Sequence, residues 1–328
     1  MANGKKQTSK VSEVQLGLDL YQVYTSIEAR PFLKWAGGKS QLIEKLDNYF
    51  PLEMKSGQIK KYAEPFVGGG ALFFHVAQNY PSIEEFFISD VNDELILAYT
   101  TIKKEVESLI SILKKLEEKY HALVDSEQKT FFYDQRSQYN EKLSGINFKE
   151  FSSKWTERTA EIIFLNRTCF NGLFRVNAKG HFNVPHGDYK NPKICDAENL
   201  RAVSSLLQRT DIEHGDFTAS EKFISDKTFV YFDPPYRPIS KTASFTSYSK
   251  YDFNDEAQKR LAKYFCLLSK RSAKLMLSNS DPKNENPDDH FFEELYKKFH
   301  IERVDASRMI NSDSTKRGKI KELVIMNY

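Results

Sequence analysis

The chain has only three cysteines in 328 residues. Cys169, Cys195 and Cys266 lie far apart and lack paired spacing. That excludes a disulfide framework and a zinc site and fits a reducing, cytoplasmic setting. No apolar run approaches the roughly 18 residues of a membrane span, so none is expected. Met1 to Lys10 is polar and basic, without the apolar core of a signal peptide. Strong charge of one sign is missing too. The net charge is only +3 and says little about partners. What remains is ample apolar material, 40% hydrophobic with 13% aromatic residues. The length suggests one large domain, or a core domain carrying an insert.

The most informative stretch is Phe229-Val-Tyr-Phe-Asp-Pro-Pro-Tyr236. Phe229 to Phe232 is an apolar, β-favouring run that reads as a buried strand. Asp233 precedes a proline, which pushes it towards an extended or turn conformation. Pro234 and Pro235 fix φ and remove two backbone donors. The strand end then presents one carboxylate, a proline carbonyl and the face of Tyr236. That pocket is rich in acceptors and poor in donors, and it suits a flat group with an exocyclic amino group, such as adenine.

Two glycine-rich turns precede it. In Lys34-Trp-Ala-Gly-Gly-Lys39, two glycines open a helical pattern from Ser40 to Phe50, with Ser40 as a candidate N-cap. Free amides flanked by Lys34 and Lys39 suit an anion or carboxylate. The Walker spacing is absent. In Glu64-Pro-Phe-Val-Gly-Gly-Gly70, three glycines join a strand to a helix. A second strand, Phe86 to Asp90, ends in an acid about 20 residues later, the layout that holds an adenosine ribose in doubly wound folds. The glycines do not follow GxGxxG, so a single nucleoside-bearing cofactor is expected rather than a dinucleotide. Gly215-Asp-Phe217 offers an acceptor and an apolar edge for a purine.

From Glu94 to Leu123 the periodicity predicts a solvated amphipathic helix. Helical character continues to about residue 160. The texture then changes. Asn166, Arg167, Asn171, Arg175, Asn177, Lys179, His181 and Asn183 alternate with aromatics and glycines. Asn177-Ala-Lys-Gly180 reads as a hairpin turn. Asn and Arg pair with purine edges, and a β-ribbon fits the major groove. Lys154 to Arg209 holds nine Lys or Arg against five Asp or Glu, an excess that would meet phosphate. Lys241 to Tyr251 reads as a loop over the site, and Phe291 to Phe299 as a helix. Val304 to Met309 and Glu322 to Tyr328 read as arms of a terminal hairpin. Between them Thr315-Lys-Arg-Gly-Lys319 is a basic loop suited to phosphate.

In this order the stretches resemble the DNA adenine methyltransferase (Dam) family, the alpha class of amino-group methyltransferases. Ser89-Asp90-Val-Asn92, Asn166-Arg-Thr-Cys-Phe-Asn-Gly172, Phe182-Asn-Val-Pro185 and Arg317-Gly-Lys-Ile-Lys-Glu-Leu323 add to it, and the match runs from about residue 30 to the C-terminus. The resemblance implies a Rossmann-like methyltransferase fold of the α/β class. It implies a seven-stranded mixed sheet with an inserted helical and β-hairpin target-recognition domain. The expected division is an extension over 1–28, a cofactor part over 29–100, target recognition over 101–205 and an active-site part over 206–328. It implies S-adenosylmethionine as methyl donor, held by Trp35, Lys39, Glu64, Phe66, Gly68, Gly70, Asp90, Asp216, Phe217 and Asp233. It implies double-stranded DNA as substrate, contacted by Asn166, Arg167, Asn171, Arg175, Asn177, Lys179, Asn183, Lys316, Arg317 and Lys319.

On that basis the target adenine leaves the duplex, stacks on Tyr236, and donates its amino protons to Asp233 and the Pro234 carbonyl. Transfer is direct, with no covalent intermediate and no metal. No Pro-Cys dipeptide is present, so a cysteine nucleophile of the cytosine carbon-5 type is not expected. A monomer is expected, with a cognate restriction endonuclease encoded alongside and no stable complex between them. Relatives that recognise GATC often read Phe-Asn-Val-Pro-Phe-Gly-Arg-Tyr, whereas this chain has Pro185-His-Gly-Asp-Tyr189. An acid there would repel phosphate or accept from a cytosine amino group. Two alternatives stay open: an RNA or protein-glutamine amino methyltransferase, and a non-catalytic nucleic-acid-binding module.

Overall fold

A computed structural model describes residues 28–35, 37, 39, 42–237, 253–307 and 319–328. The expected N-cap Ser40, the loop over 241–251 and the contacts Lys316 and Arg317 lie outside the described residues.

Seven strands form one sheet: β1 (Lys61–Glu64), β2 (Glu85–Asp90), β3 (Thr210–His214), β4 (Thr228–Phe232), β5 (Lys274–Ser280), β6 (His300–Ser307) and β7 (Lys319–Met326). Their order is β3-β2-β1-β4-β5-β7-β6. The first five run parallel. β7 is antiparallel to both β5 and β6. This is the mixed seven-stranded sheet that the resemblance implies, and the terminal hairpin is present with both arms beginning earlier than expected, at His300 and Lys319. β4 is buried at every position, as a strand covered on both faces must be.

The strand order reverses between β1 and β4. In open parallel sheets a crevice forms there, outside the carboxyl ends of the strands. Glu64 ends β1, Asp90 ends β2, and Asp233 follows β4. Neighbouring strands lie about 4.8 Å apart, so these three carboxylates share one edge about 10 Å long. β7 runs the other way and brings the residues at its start to that same edge.

Among the described residues the α-helices are α1 (Ile43–Asp47), α2 (Leu52–Lys55), α3 (Ala71–Asn79), α4 (Asp93–His121), α5 (Asp125–Glu141), α6 (Ser153–Thr168), α7 (Ala197–Leu207), α8 (Asp255–Ser269) and α9 (Phe291–Leu295). Two are shorter than the periodicity predicts. α1 spans only Ile43–Asp47. α9 stops at Leu295 because the chain must reach His300 extended, where β6 begins. Asn254 caps α8 by accepting from the amides of Glu256 and Ala257, each at 3.1 Å. Among the described residues no helix is long and apolar enough to cross a membrane.

Helices α4 to α7 fill the connection between β2 and β3. α4 runs through the expected boundary at residues 100 and 101 and breaks its helical geometry at Glu105 (φ −138°, ψ 40°). One apolar cluster joins Tyr62, Phe86 and Phe229 of the sheet to Leu109, Tyr120, Phe132 and Phe164 of these helices. Arg158 of α6 is buried among them. Its Nε donates to both Glu94 carboxylate oxygens at 3.1 Å, and its guanidinium lies 3.3 Å from the Tyr139 ring centroid. Glu94, Tyr139 and Arg158 thus lock α4, α5 and α6 together. Breaking such a buried pair is costly, because it leaves a charge without water or partner.

Candidate active site

The loop after β4 is held from three sides. Gln258 of α8 donates to the Pro235 carbonyl at 3.1 Å. Asn279 of β5 accepts from the Arg237 amide at 3.2 Å, and Ser280 donates to the Arg237 carbonyl at 3.0 Å. Arg237 pairs with Asp255 at 2.7 Å and with Asp289 at 2.6 Å. The prolines limit the backbone of the loop, and these contacts fix what freedom remains. The reading of the sequence left out Gln258, Asn279 and Arg237. Its one available signal was the polar Ser278-Asn279-Ser280 ending the apolar run Leu275-Met276-Leu277.

Asp233, Lys39, Tyr236 and Glu322 meet at the sheet edge. The Lys39 ammonium lies 3.4 Å from Asp233 Oδ1 and 3.2 Å from Glu322 Oε2. It also donates to the Tyr236 hydroxyl and sits 4.0 Å from the Tyr236 ring centroid. The Tyr236 hydroxyl in turn donates to Glu322 Oε2 at 2.7 Å. Burial pushes the Asp233 carboxyl up to about 6; Lys39 works against this and the Glu322 charge adds to it. Lys39, expected only as a cofactor contact, therefore touches the candidate catalytic groups directly. The sequence assigned Glu322 no role.

Next to Asp233 on the edge, Glu64 is wholly buried and accepts from the Tyr62 hydroxyl at 2.7 Å. Burial raises its pKa well above the carboxylate range; the Tyr62 hydrogen bond opposes this and the Asp233 charge reinforces it. The glycine turn follows. Gly68 and Gly70 adopt positive φ, 49° and 72°. A Cβ on Gly70 would lie 2.5 Å from the Tyr99 hydroxyl, so only glycine fits. The Gly68 amide donates to Asp90 Oδ2 at 3.1 Å, and the Asn92 amide to Oδ1 at 2.9 Å. Each Asp90 oxygen keeps a lone pair for a further donor. Trp35 packs over the turn, 3.0 Å from where a Gly69 Cβ would stand, and stacks on Phe174 at 5.1 Å.

Phe66, Phe217 and Phe253 form an aromatic wall, with Phe66 and Phe217 centroids 5.8 Å apart. Phe217 is wholly buried. Asp216, the neighbour of Phe217, caps the short helical turn that follows it. Its Oδ1 accepts from the Thr218 amide at 2.9 Å and its Oδ2 pairs with Arg260 at 2.6 Å. Both oxygens are thus engaged in capping a short helical turn and in an ion pair.

The residues expected to face DNA divide into two groups. Asn171 is exposed at the end of α6, beside the exposed Phe170, with φ 57°. Arg175 to Asn183 forms the expected hairpin, with Val176 paired to Phe182. Asn177 Oδ1 accepts from the Lys179 and His181 amides, which shapes the turn. Arg175 Nε donates to Asn183 Oδ1 at 2.8 Å across the ribbon. Lys179 is exposed at the tip, and Lys319 begins β7.

Asn166 and Arg167 turn inward instead. Asn166 is wholly buried; it accepts from the Lys34 amide at 2.8 Å and donates to the carbonyls of Lys34 and Gly172 at 2.9 and 2.8 Å. Its amide is spent on backbone and has no free edge for a base. Arg167 donates to the Phe32 carbonyl at 3.0 Å. Nothing in an Asn-Arg pair on a helix says which way it faces, so composition alone misplaced both. His186 also packs inward, accepting or donating at 2.8 Å with the Tyr120 hydroxyl and lying against Phe132. Its side chain is only 8% exposed and sits among aromatics. Asp188 stays fully exposed.

Comparison with known proteins agrees with this arrangement. The sequence model of the D12 class of N6 adenine-specific DNA methyltransferases matches residues 35–310. A Type II methyltransferase, M.MjaIII of Methanocaldococcus jannaschii, is 49% identical over 92% of this chain and all of its own length. A second, M1.LlaDCHI of Lactococcus lactis subsp. cremoris, is 40% identical over 92% of this chain and 96% of its own. The DNA adenine methylase of Haemophilus influenzae is 31% identical over 91% of this chain and 93% of its own. With its sheet, its acidic edge and these matches, the chain belongs to the D12 class of adenine-specific DNA methyltransferases.

Proposed function

We propose that this adenine-specific DNA methyltransferase takes its methyl group from S-adenosylmethionine and delivers it to an adenine turned out of duplex DNA. The observation that carries the reading is the acidic edge itself. Asp233 and Glu322 flank the cation Lys39, and the buried Glu64 lies within reach of the Asp233 charge. The residues fit the cofactor. The glycine turn leaves a cradle that a Cβ would fill, Asp90 retains lone pairs for ribose hydroxyls, and buried carboxylates suit an ammonium and a sulfonium. When bound, S-adenosylmethionine supplies an electrophilic methyl group.

The chain's own part is positioning and electrostatics. Asp233 and the Pro234 carbonyl accept the two amino protons of the base and aim the nitrogen lone pair away from the ring plane. Tyr236 provides the stacking face. Turning the base out costs a few kcal/mol, recovered by that stacking and those hydrogen bonds. The insert over residues 101–205 is the proposed target-recognition part, reading DNA with Asn171, Arg175, Asn177 and Lys179. The Type II names of two relatives support a place in a restriction–modification system; a cognate endonuclease encoded alongside and a monomeric enzyme complete the proposal. GATC is the first recognition sequence to test.

Two outcomes check this reading. Calorimetric titration with S-adenosylmethionine is expected to show one site per chain, weakened at least tenfold in Asp90→Ala; the loss follows from removing a charged hydrogen-bond acceptor. No binding heat would reject the cofactor assignment. Arg175→Ala is expected to weaken cognate duplex binding by about 1–3 kcal/mol and random duplex much less. Equal losses on both would make Arg175 a phosphate contact.

A further inference from the structure

We infer that Glu322 is a positioning residue for methyl transfer, holding Tyr236 and Lys39 in register with Asp233. This rests on the functional reading above. β7 enters the sheet antiparallel, so its fourth residue reaches the edge where the parallel strands end. There Glu322 Oε2 accepts from the Tyr236 hydroxyl at 2.7 Å and from Lys39 at 3.2 Å. Its side chain is only 12% exposed, so water competes weakly for these contacts. Glu322 is paired in the strand with Ser280 and Val304, and Ser280 itself anchors the catalytic loop through Arg237. One carboxylate therefore fixes the ring on which the base stacks and draws the ammonium partly away from Asp233.

The arrangement assigns Glu322 two separable tasks. One is geometric, through the Tyr236 hydroxyl. The other is electrostatic, through its charge. The groups that face Asp233 are Lys39, Tyr62 and Glu64 of β1, Tyr231 of β4, Tyr236 of its own loop, and Glu322. Of the carboxylates, Glu322 is the one that also holds Lys39. Without its charge, Lys39 stands alone with Asp233, and Asp233 ionises at lower pH.

The test is single-turnover methyl transfer to cognate DNA, with wild type, Glu322→Ala, Glu322→Gln, Tyr236→Phe and the Glu322→Ala/Tyr236→Phe double variant. Glu322→Ala is expected to slow transfer about 10- to 100-fold. Cofactor affinity and the KM for DNA should stay within about threefold, because neither is a direct contact of Glu322. Glu322→Gln keeps the acceptor and should lose less. Both should move the acid limb of the pH–rate profile downward. The double variant should be no slower than Glu322→Ala alone, because the two groups act as a unit. A Glu322→Ala enzyme with full rate and an unmoved acid limb would overturn the inference. So would additive losses in the double variant. A wild-type enzyme that transfers no methyl to adenine would instead reject the underlying functional reading. Melting curves of each variant separate loss of fold from loss of rate.

Discussion

Replacing Asp233 with alanine is expected to lower methyl transfer to adenine by about a thousandfold or more, with cofactor binding within a few fold of wild type. The carboxylate is the strongest acceptor among the described residues of the loop after β4, and Gln258, Asn279 and Ser280 brace those residues too well for a substitute to move in. Alanine leaves the base stacked on Tyr236 with one amino proton unbound, so the nitrogen lone pair stays conjugated with the ring. Asparagine should retain part of the rate, since its carbonyl still accepts. The pH dependence follows from the same group. Burial pushes the Asp233 carboxyl up to about 6. The protonated form has a donor where the base needs an acceptor. The rate should therefore be full above that value and fall as pH drops through it, well above the range of an ordinary aspartate. Single-turnover rates across pH 4.5 to 8 check this, and retained turnover in Asp233→Ala sinks the assigned role.

Asn166→Ala is expected to cost stability rather than sequence selectivity. Its amide satisfies three buried backbone groups, the amide and carbonyl of Lys34 and the carbonyl of Gly172. Each buried polar group left unpaired costs about 1–3 kcal/mol, and relaxation of the loop recovers some of it. A net loss of roughly 3 kcal/mol lowers Tm by about 4–5 °C in a chain of this size. The lost contacts also release the segment that carries Trp35 over the glycine turn, so cofactor affinity should fall with stability. Thermal unfolding and binding to cognate and random duplex measure the two effects. Unchanged Tm with a changed base preference would show that Asn166 reads DNA after all.

The contrast between Asp233 and Asn166 shows what the sequence could and could not tell. Most strands and the strand-end acids were legible because apolar runs bounded by Gly, Pro and Asp have few alternative structures. The Asp-Pro-Pro-Tyr loop was legible because two prolines leave the chain little choice. The hairpin at Asn177 to Gly180 was legible for the same kind of reason, since glycine supplies the positive φ the turn needs. The direction of side chains on α6 was not. Asn166, Arg167 and Arg175 have similar chemistry, and only the packing of α6 against Phe32 and Lys34 decides that the first two face inward. Glu322 was hidden for a different reason. It lies 89 positions after Asp233, and only the reversed direction of β7 brings it to the same edge.

The most direct test of the central claim is transfer of tritium from labelled S-adenosylmethionine to unmethylated genomic DNA, followed by single-molecule sequencing of the product. The account predicts label in the DNA and N6-methyladenine confined to one short sequence. Label absent from DNA and present in RNA or protein would contradict it.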